Sequence, residues 1–280
     1  MGIVEELGPG AEKFIQKGDR VILGLGGIVE AYWCGACEYC LAGKPMLCQQ
    51  KVNFIGAYSE YMSFWANAFV KLPEEVKDTE IPLACAGFTV HSAVKRLFNH
   101  KIVPGKLIAI IGAAGGLGHY AVQITKAFGY KVVGIDIGPE KLEFVKKLGA
   151  DYSIDVSKAN SFVDENLGGV YASLVFSSKI AGFQLRLYLL KVGGVLNLVG
   201  LPAFNEGLMS INMFIFILRG FQIAGSLVGT AEEMRELVQL SAEGKVKTHI
   251  GRVAKLSEIN DVFEELENAK FVGRAILEIS

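Results

Sequence analysis

The chain predicts an α/β fold: a doubly wound parallel sheet with a smaller, irregular β domain attached. Three observations carry this expectation. The element pattern changes near residue 100, from short strand-like runs broken by turns to apolar strands alternating with amphipathic helices. A cluster of glycines lies where the first of those strands gives way to the first helix. And 280 residues, 51% apolar with a formal net charge of −1, can bury a large core and are enough for two domains.

Taken in order, the first part of the chain reads as short strands. Gly18-Asp19 precede Arg20 to Leu23, Gly56 precedes Tyr58 to Trp65, and Pro73 closes Phe69 to Leu72. After Pro104-Gly105 the periods change. Leu107 to Ile111 is a strand leading to a helix that ends at Phe128, and Lys131 to Asp136 leads to a helix over Glu140 to Leu148. The alternation continues with Val170 to Phe176, a helix over Ala181 to Leu190, and Val195 to Gly200. Strands separated by helices pair in parallel, because the helix carries the chain back across the sheet.

Composition excludes several function classes. The pI is near 6.5, and the lysines and arginines are scattered, so there is no footprint for a nucleic-acid backbone. The most apolar stretch, Ile211 to Leu218, is far short of the ~20 residues a membrane span needs. It reads as a buried segment or a subunit contact. The amino terminus has no basic region followed by an apolar one, so the expected compartment is the cytoplasm and the expected state of the thiols is reduced.

Cys34, Cys37, Cys40 and Cys48, four of the chain's five cysteines, follow the spacing C-x2-C-x2-C-x7-C, with Gly35 and Gly43 allowing the chain to wrap. Thiolates grouped this closely close a tetrahedral zinc site, and four of them leave no open position, so the metal would be structural, one per chain. Disulfides require an oxidising compartment. A ferredoxin-type cluster would want a short last spacing followed by proline, whereas Gln49 follows Cys48.

In Ile108 to Ala121 the glycines Gly112, Gly115, Gly116 and Gly118 sit at a strand-to-helix turn, where backbone N–H groups and the helix dipole can meet a pyrophosphate. Two frames fit: Gly112, Gly115 and Gly118, which begins at the strand end and is preferred, or Gly116-x-Gly118-x-x-Ala121. Asp136 closes the second strand, where a carboxylate binds ribose hydroxyls and repels a 2′-phosphate, so NAD is expected rather than NADP.

With these motifs the chain resembles the zinc-containing medium-chain alcohol dehydrogenases. The resemblance runs from Gly2 to the end and rests on the cysteine lobe, Cys85-Ala-Gly-Phe-Thr89, the glycine turn ending at His119, Gly225-Ser-Leu-Val-Gly229 and Gly273-Arg274-Ala-Ile-Leu. It implies a doubly wound parallel (Rossmann) sheet with a truncated, irregular β (GroES-like) domain. Residues 1–89 would form that β domain, 90–225 the NAD-binding domain, and 226–280 a segment returning to the first. The implied activity is hydride transfer between an alcohol and its aldehyde or ketone, with NAD.

By the same resemblance Cys34, Cys37, Cys40 and Cys48 are structural zinc ligands, Cys85 is one ligand of a catalytic zinc, and Thr89 lies beside the nicotinamide. Gly112, Gly115, Gly116, Leu117 and Gly118 form the pyrophosphate turn, Asp136 and Lys141 contact ribose, Gly200 and Ser226 hold the carboxamide region, and Arg274 is a phosphate partner. On the residues alone, Cys85 would be a small buried thiol, Lys141 a solvated charge and Arg274 a surface ion pair.

The family's remaining catalytic-zinc ligands precede the strand matched by Gly2 to Gly8, and His91, His100, His119 and His249 stand in other contexts. The expectation is therefore a chain truncated at its amino terminus and impaired in turnover. An unpaired sheet edge is expected near Gly2 to Leu7 or Arg20 to Leu23. The alternative reading is a non-catalytic NAD-binding protein with one structural zinc. Phe54 to Trp65 would help shape any substrate site, and the apolar Phe214 to Leu218, with the family habit, suggests a homodimer or tetramer.

Overall fold

The consecutive Val21 and Ile22 point to opposite faces of Arg20–Leu23 and are both buried, so this run is covered on both faces as the centre of a small antiparallel sheet. The computed structural model describes residues 1–24, 30–50, 52–53, 58–184, 187–268 and 270–279. Strand β1 is Gly2–Ile3, β2 Arg20–Leu23, β3 Glu30–Tyr32, β4 Val52–Asn53 and β5 Phe69–Lys71. The sheet order is β1-β2-β5, and β3 pairs with β4 separately. Both sides of β2 are thus paired, so Arg20 to Leu23 is no open edge; the edges are β1 and β5. Tyr58 to Trp65 is not a strand either. Tyr58 is 64% and Tyr61 78% exposed, and the run passes through bends into a 3₁₀ turn at Ala66–Ala68. The part of the expected substrate-shaping stretch from 54 to 57, Gly56 with it, lies outside the described residues.

A short helix, α1 (Glu38–Leu41), lies within the cysteine lobe, and α2 spans Ala86–Lys95. Next comes the doubly wound sheet. Its strands are β6 Leu107–Ile111, β7 Lys131–Asp136, β8 Tyr152–Asp155, β9 Val170–Val175, β10 Leu190–Leu198 and β11 Gln222–Gly225. Its helices are α3 Gly118–Ala127, α4 Pro139–Lys147, α5 Ala159–Leu167, α6 Ile180–Gln184 and α7 Met213–Leu218. All neighbours pair in parallel, in the order β11-β10-β9-β6-β7-β8. The chain leaves β6 toward one edge and β9 toward the other, so the carboxyl ends of β6 and β9 flank the switch point where such sheets take their ligands. Ile108, Ala109, Ile110, Val132, Val133, Ala172 and Leu196 are fully buried, as strands covered on both faces require.

The expected helix over Ala181 to Leu190 is instead α6, then a 3₁₀ turn at Leu187–Leu189, with Leu190 already opening β10. β10 has 9 residues and starts at Leu190 rather than at the expected Val195, because Gly193 and Gly194 interrupt its apolar pattern without ending the strand. The pair β8 and α5 fills the interval between Leu148 and Val170. In α7, Ile215 and Phe216 pack on the core while Met213, Phe214, Ile217 and Leu218 are exposed. The stretch is therefore a surface helix rather than a buried segment.

The chain closes with α8 (Ala231–Ala242), started by a capping box between Thr230 and Glu233, then β12 (Ile250–Lys255), α9 (Ile259–Glu267) and β13 (Arg274–Glu278). β12 and β13 pair in parallel. Met1–Phe88 with Leu227–Ser280 form one unit, and Thr89–Ser226 form the other. Among the described residues no helix is long and apolar enough to cross a membrane.

Candidate metal centre and cofactor turn

The lobe brings its thiols together through tight turns. Gly35 and Gly43 both take positive φ, 70° each, and Cys37 precedes the first residue of α1, so Cys40 comes back toward Cys34 within one turn of chain. The sulfurs of Cys34, Cys37, Cys40 and Cys48 all lie within 4.8 Å of one another. Cys34 to Cys40 is 3.9 Å, Cys37 to Cys40 3.6 Å and Cys34 to Cys48 3.6 Å. Four sulfurs at ~2.3 Å from one tetrahedral ion stand about 3.8 Å apart, and a disulfide needs about 2.05 Å. The set therefore fits one zinc and no disulfide; all five cysteines are free.

The electrostatics of the lobe are uneven. N–H groups of Ala36 and Cys37 aimed at Cys34 hold its thiol down to about 6, favouring the thiolate. Burial, with the neighbouring Cys37, pushes Cys40 up to about 12. A cation supplies what Cys40 lacks, because metal binding stabilises a thiolate directly. Trp33 and Cys48 are buried together beneath the lobe with Ala68.

The second assembly is the turn after β6. Gly112 takes φ +77°, and its N–H and that of Ala113 donate to Ile135 O on the next strand, at 2.9 and 3.2 Å. A Cβ on Gly118 would stand 1.9 Å from Gly112 O, so the glycine is required for α3 to start this close to the turn. The N–H of Ala114 donates to Asp136 Oδ2 at 2.8 Å. Asp136 is thus more than a ribose candidate: it clamps the turn to β7. Its other oxygen accepts from Ile137 N at 2.9 Å and has Lys141 Nζ at 4.0 Å. A carboxylate offers about four lone-pair positions, which leaves capacity for a ligand hydroxyl.

The backbone N–H groups of Gly116, Leu117 and Gly118 have no acceptor among the described residues. They open α3 at the carboxyl end of β6, an arrangement that suits an anion. In the same unit Gly200 N donates to Val175 O, and Ser226 N to Leu198 O. Ser226 is buried and its Oγ has no partner among the described residues, so a polar group of a ligand would satisfy it. These features fit a dinucleotide on this unit. Thr89 is part-buried on α2.

Arg274 and Cys85 belong to the other unit. Arg274 is part-buried in β13, and its Nε has no partner among the described residues, so the expected surface ion pair is absent there. Cys85 caps a 3₁₀ segment and is exposed, not the buried thiol that composition would suggest. Among the described residues the four lobe cysteines form the only group of three or more His, Cys, Asp or Glu side chains arranged to hold a metal. Among the described residues Cys85 has no further His, Cys, Asp or Glu grouped with it in that way. His91 and His119 are buried on α2 and α3, His100 Nδ1 lies 3.1 Å from Gln222 Oε1, and His249 is exposed ahead of β12.

Two participants escaped the reading of residues. The Ala114 N–H has no sequence signal, being backbone. Asp155, level with Asp136 on the next strand and accepting from Gly138 N at 3.2 Å, had one: Tyr152 to Asp155 alternates in the manner of a strand and ends, like β7, on an aspartate.

A doubly wound sheet with a glycine turn clamped by a strand-end carboxylate, joined to a β unit that carries a four-thiolate lobe, defines a class, the medium-chain dehydrogenases. Residues 1–74 match the alcohol dehydrogenase GroES-like domain, and 116–243 match the family described as zinc-binding dehydrogenase. An alcohol dehydrogenase of Geobacillus stearothermophilus is 40% identical over 286 aligned residues, covering 100% of this chain and 81% of the relative. One from Moraxella sp. (strain TAE123) is 35% identical, with 99% and 80% covered. The crystal structure of the alcohol dehydrogenase from the archaeon Aeropyrum pernix superposes with a TM-score of 0.86 at 35% identity, covering 99% of this chain and 80% of that one. The chain belongs to the zinc-containing alcohol dehydrogenase family.

Proposed function

We propose that this chain is the polypeptide of a zinc-containing, NAD-dependent alcohol dehydrogenase, acting on a small alcohol and its aldehyde or ketone. The observation that carries the reading is the turn between β6 and α3, where unengaged N–H groups at Gly116 to Gly118 stand beside a glycine backbone locked by Asp136. Bound there, NAD would supply the hydride acceptor. In this reading the chain's own residues bind and orient. The turn and the α3 dipole receive the pyrophosphate, Asp136 and Lys141 the ribose, Gly200 and Ser226 the carboxamide end, and Arg274 a phosphate. Thr89 lies beside the nicotinamide. The lobe zinc holds residues 34–48 in shape and takes no part in hydride transfer.

Cys85 is assigned to a catalytic zinc. Affinity and geometry at such a site come from several preorganised ligands together. The described residues supply one, and no metal-assisted step follows from them. We assign residues 1–89 and 226–280 to the catalytic-type domain and 90–225 to the cofactor domain, working in a reducing cytoplasm as a homo-oligomer.

The test joins metal analysis to cofactor titration on the purified chain. Mass measurement under native conditions is expected to give about one zinc per chain, and NADH fluorescence to rise on binding. NAD reduction with primary and secondary alcohols then measures turnover. Failure to bind either nicotinamide cofactor by a folded, zinc-loaded sample overturns the reading.

A further inference from the structure

We propose that Asp155 is a second specificity-determining carboxylate, which with Asp136 makes the cofactor turn reject a 2′-phosphate; this rests on the NAD reading above. The sheet register sets Asp155 directly beside Asp136, at the matching carboxyl end of the next strand. Partners in neighbouring strands are ~5 Å apart and project to the same side of a sheet. The two acids also hold the same short segment from its two sides. Ile137 N donates to Asp136 Oδ1 at 2.9 Å, and Gly138 N donates to Asp155 Oδ2 at 3.2 Å. Gly138, at φ +80°, is the residue from which α4 starts.

Asp155 is fixed in place as well as charged. Its Oδ1 accepts from Ser157 Oγ at 2.6 Å and Ser157 N at 3.0 Å. These bonds and the Gly138 N–H hold the carboxyl below its ordinary value, so it is ionised at neutral pH. On the sheet, β8 lies on the side of β7 away from β6. A ribose bound by Asp136 therefore has the glycine turn to one side and Asp155 to the other.

The local charges decide between the two cofactors. Two cations would welcome a phosphate: Lys141, 4.0 Å from Asp136, and the exposed Lys158, whose charge acts on Asp155. Against these long, mobile side chains are two carboxylates fixed by hydrogen bonds, and a 2′-phosphate brings more than one further negative charge into their field. NAD presents only neutral hydroxyls there, which Asp136 can accept from. Asp136 excludes the phosphate by occupying its place; Asp155 adds repulsion without touching the ribose.

The test measures the dissociation constants of NADH and NADPH by fluorescence, for the wild-type chain and for Asp155→Asn, at low and high salt. The asparagine keeps an acceptor for the Ser157 turn and removes the charge. The expected result is that NADPH binding tightens about fivefold in Asp155→Asn at low salt, with the gain confined to NADPH, and that the gain shrinks as salt screens the wild-type field. Asp155→Ser, with a shorter acceptor and no charge, should move the NADPH to NADH ratio the same way. An unchanged ratio in both variants overturns the inference and leaves the NAD reading standing. So does equal weakening of both cofactors, which would make Asp155 a loop-forming residue only. A wild-type chain that binds neither nucleotide overturns both.

Discussion

At the scale of single residues the glycines of the cofactor turn divide into two kinds, and substitutions separate them. Gly118 has no room: its Cβ would meet Gly112 O at 1.9 Å and Ala113 Cα at 2.7 Å, both backbone. Alanine there would gain about 1 kcal/mol of helix propensity but force the turn open, so Gly118→Ala should lose about 2–4 kcal/mol of stability, read from the urea midpoint. Gly115 is exposed, and its Cβ would reach only Gly112 O at 3.2 Å. Gly115→Ala should cost under about 1 kcal/mol while weakening NADH binding by several fold, because the methyl covers the face a pyrophosphate approaches. Asp151 offers a pH-dependent contrast. Burial raises its carboxyl, but Lys126 at 2.8 Å and the Val132 N–H at 2.7 Å outweigh it, and the net shift is downward from 3.8. A lowered native value contributes stability above the ordinary value that is lost as pH falls through the native one. The unfolding midpoints of wild type and Asp151→Asn should therefore differ at pH 7 and draw together as pH falls past the ordinary value of 3.8 and through the lower native one.

At the scale of elements the lobe of residues 34–48 is the part most dependent on something other than packing. Its helix α1 has 4 residues and buries none, too short to hold by itself. Withdrawal of zinc by a chelator should loosen the lobe before the rest. Trp33, 9% exposed and packed with Cys48, should shift its emission to the red, and Cys48→Ser should show the same spectrum without chelator. Unchanged emission at zero zinc would mean the lobe holds without metal. This element was legible in the residues because its constraint is local: fifteen consecutive positions carry all four ligands and both turn glycines. β6, β7 and β9 were legible for a similar reason, as mainly apolar runs with adjacent residues buried on both faces. What was not legible depended on partners distant in sequence. Tyr58 to Trp65 has the composition of a strand but gains no neighbouring strand among the described residues. β8 reads weakly because Tyr152 is 38% exposed at the sheet's edge, and Gly193 and Gly194 hid the start of β10. The clamp from Asp136 to Ala114 involves a backbone group 22 residues away, which no side-chain pattern announces.

At the scale of the whole molecule the question is what meets the outer face of α7. Phe214 and Ile217 are each 73% exposed, Leu218 67% and Met213 57%, and nearby in sequence Phe204 is fully exposed. Single exposed apolar side chains are ordinary, but four on one helix of six residues make a contiguous patch that costs free energy in water. Ile215 and Phe216, on the other face, already pack on the core, so the helix cannot turn its apolar residues inward without giving up that contact. The same unit ends its sheet on β11, whose outer edge has no paired strand among the described residues and whose Ile223 is 37% exposed. An open edge and an apolar helix in one unit can both be satisfied by a second copy, since two identical edges pair about a twofold axis. Sedimentation of the purified chain should therefore give a dimer or larger at micromolar concentration. Ile217→Glu should shift it toward monomer, because it places a charge where the contact must dehydrate. The side chain is mostly exposed, so the folded unit itself should lose less than about 1 kcal/mol. A wild-type chain that sediments as a monomer would sink the predicted association, and an Ile217→Glu chain that stays associated would move the contact away from this helix.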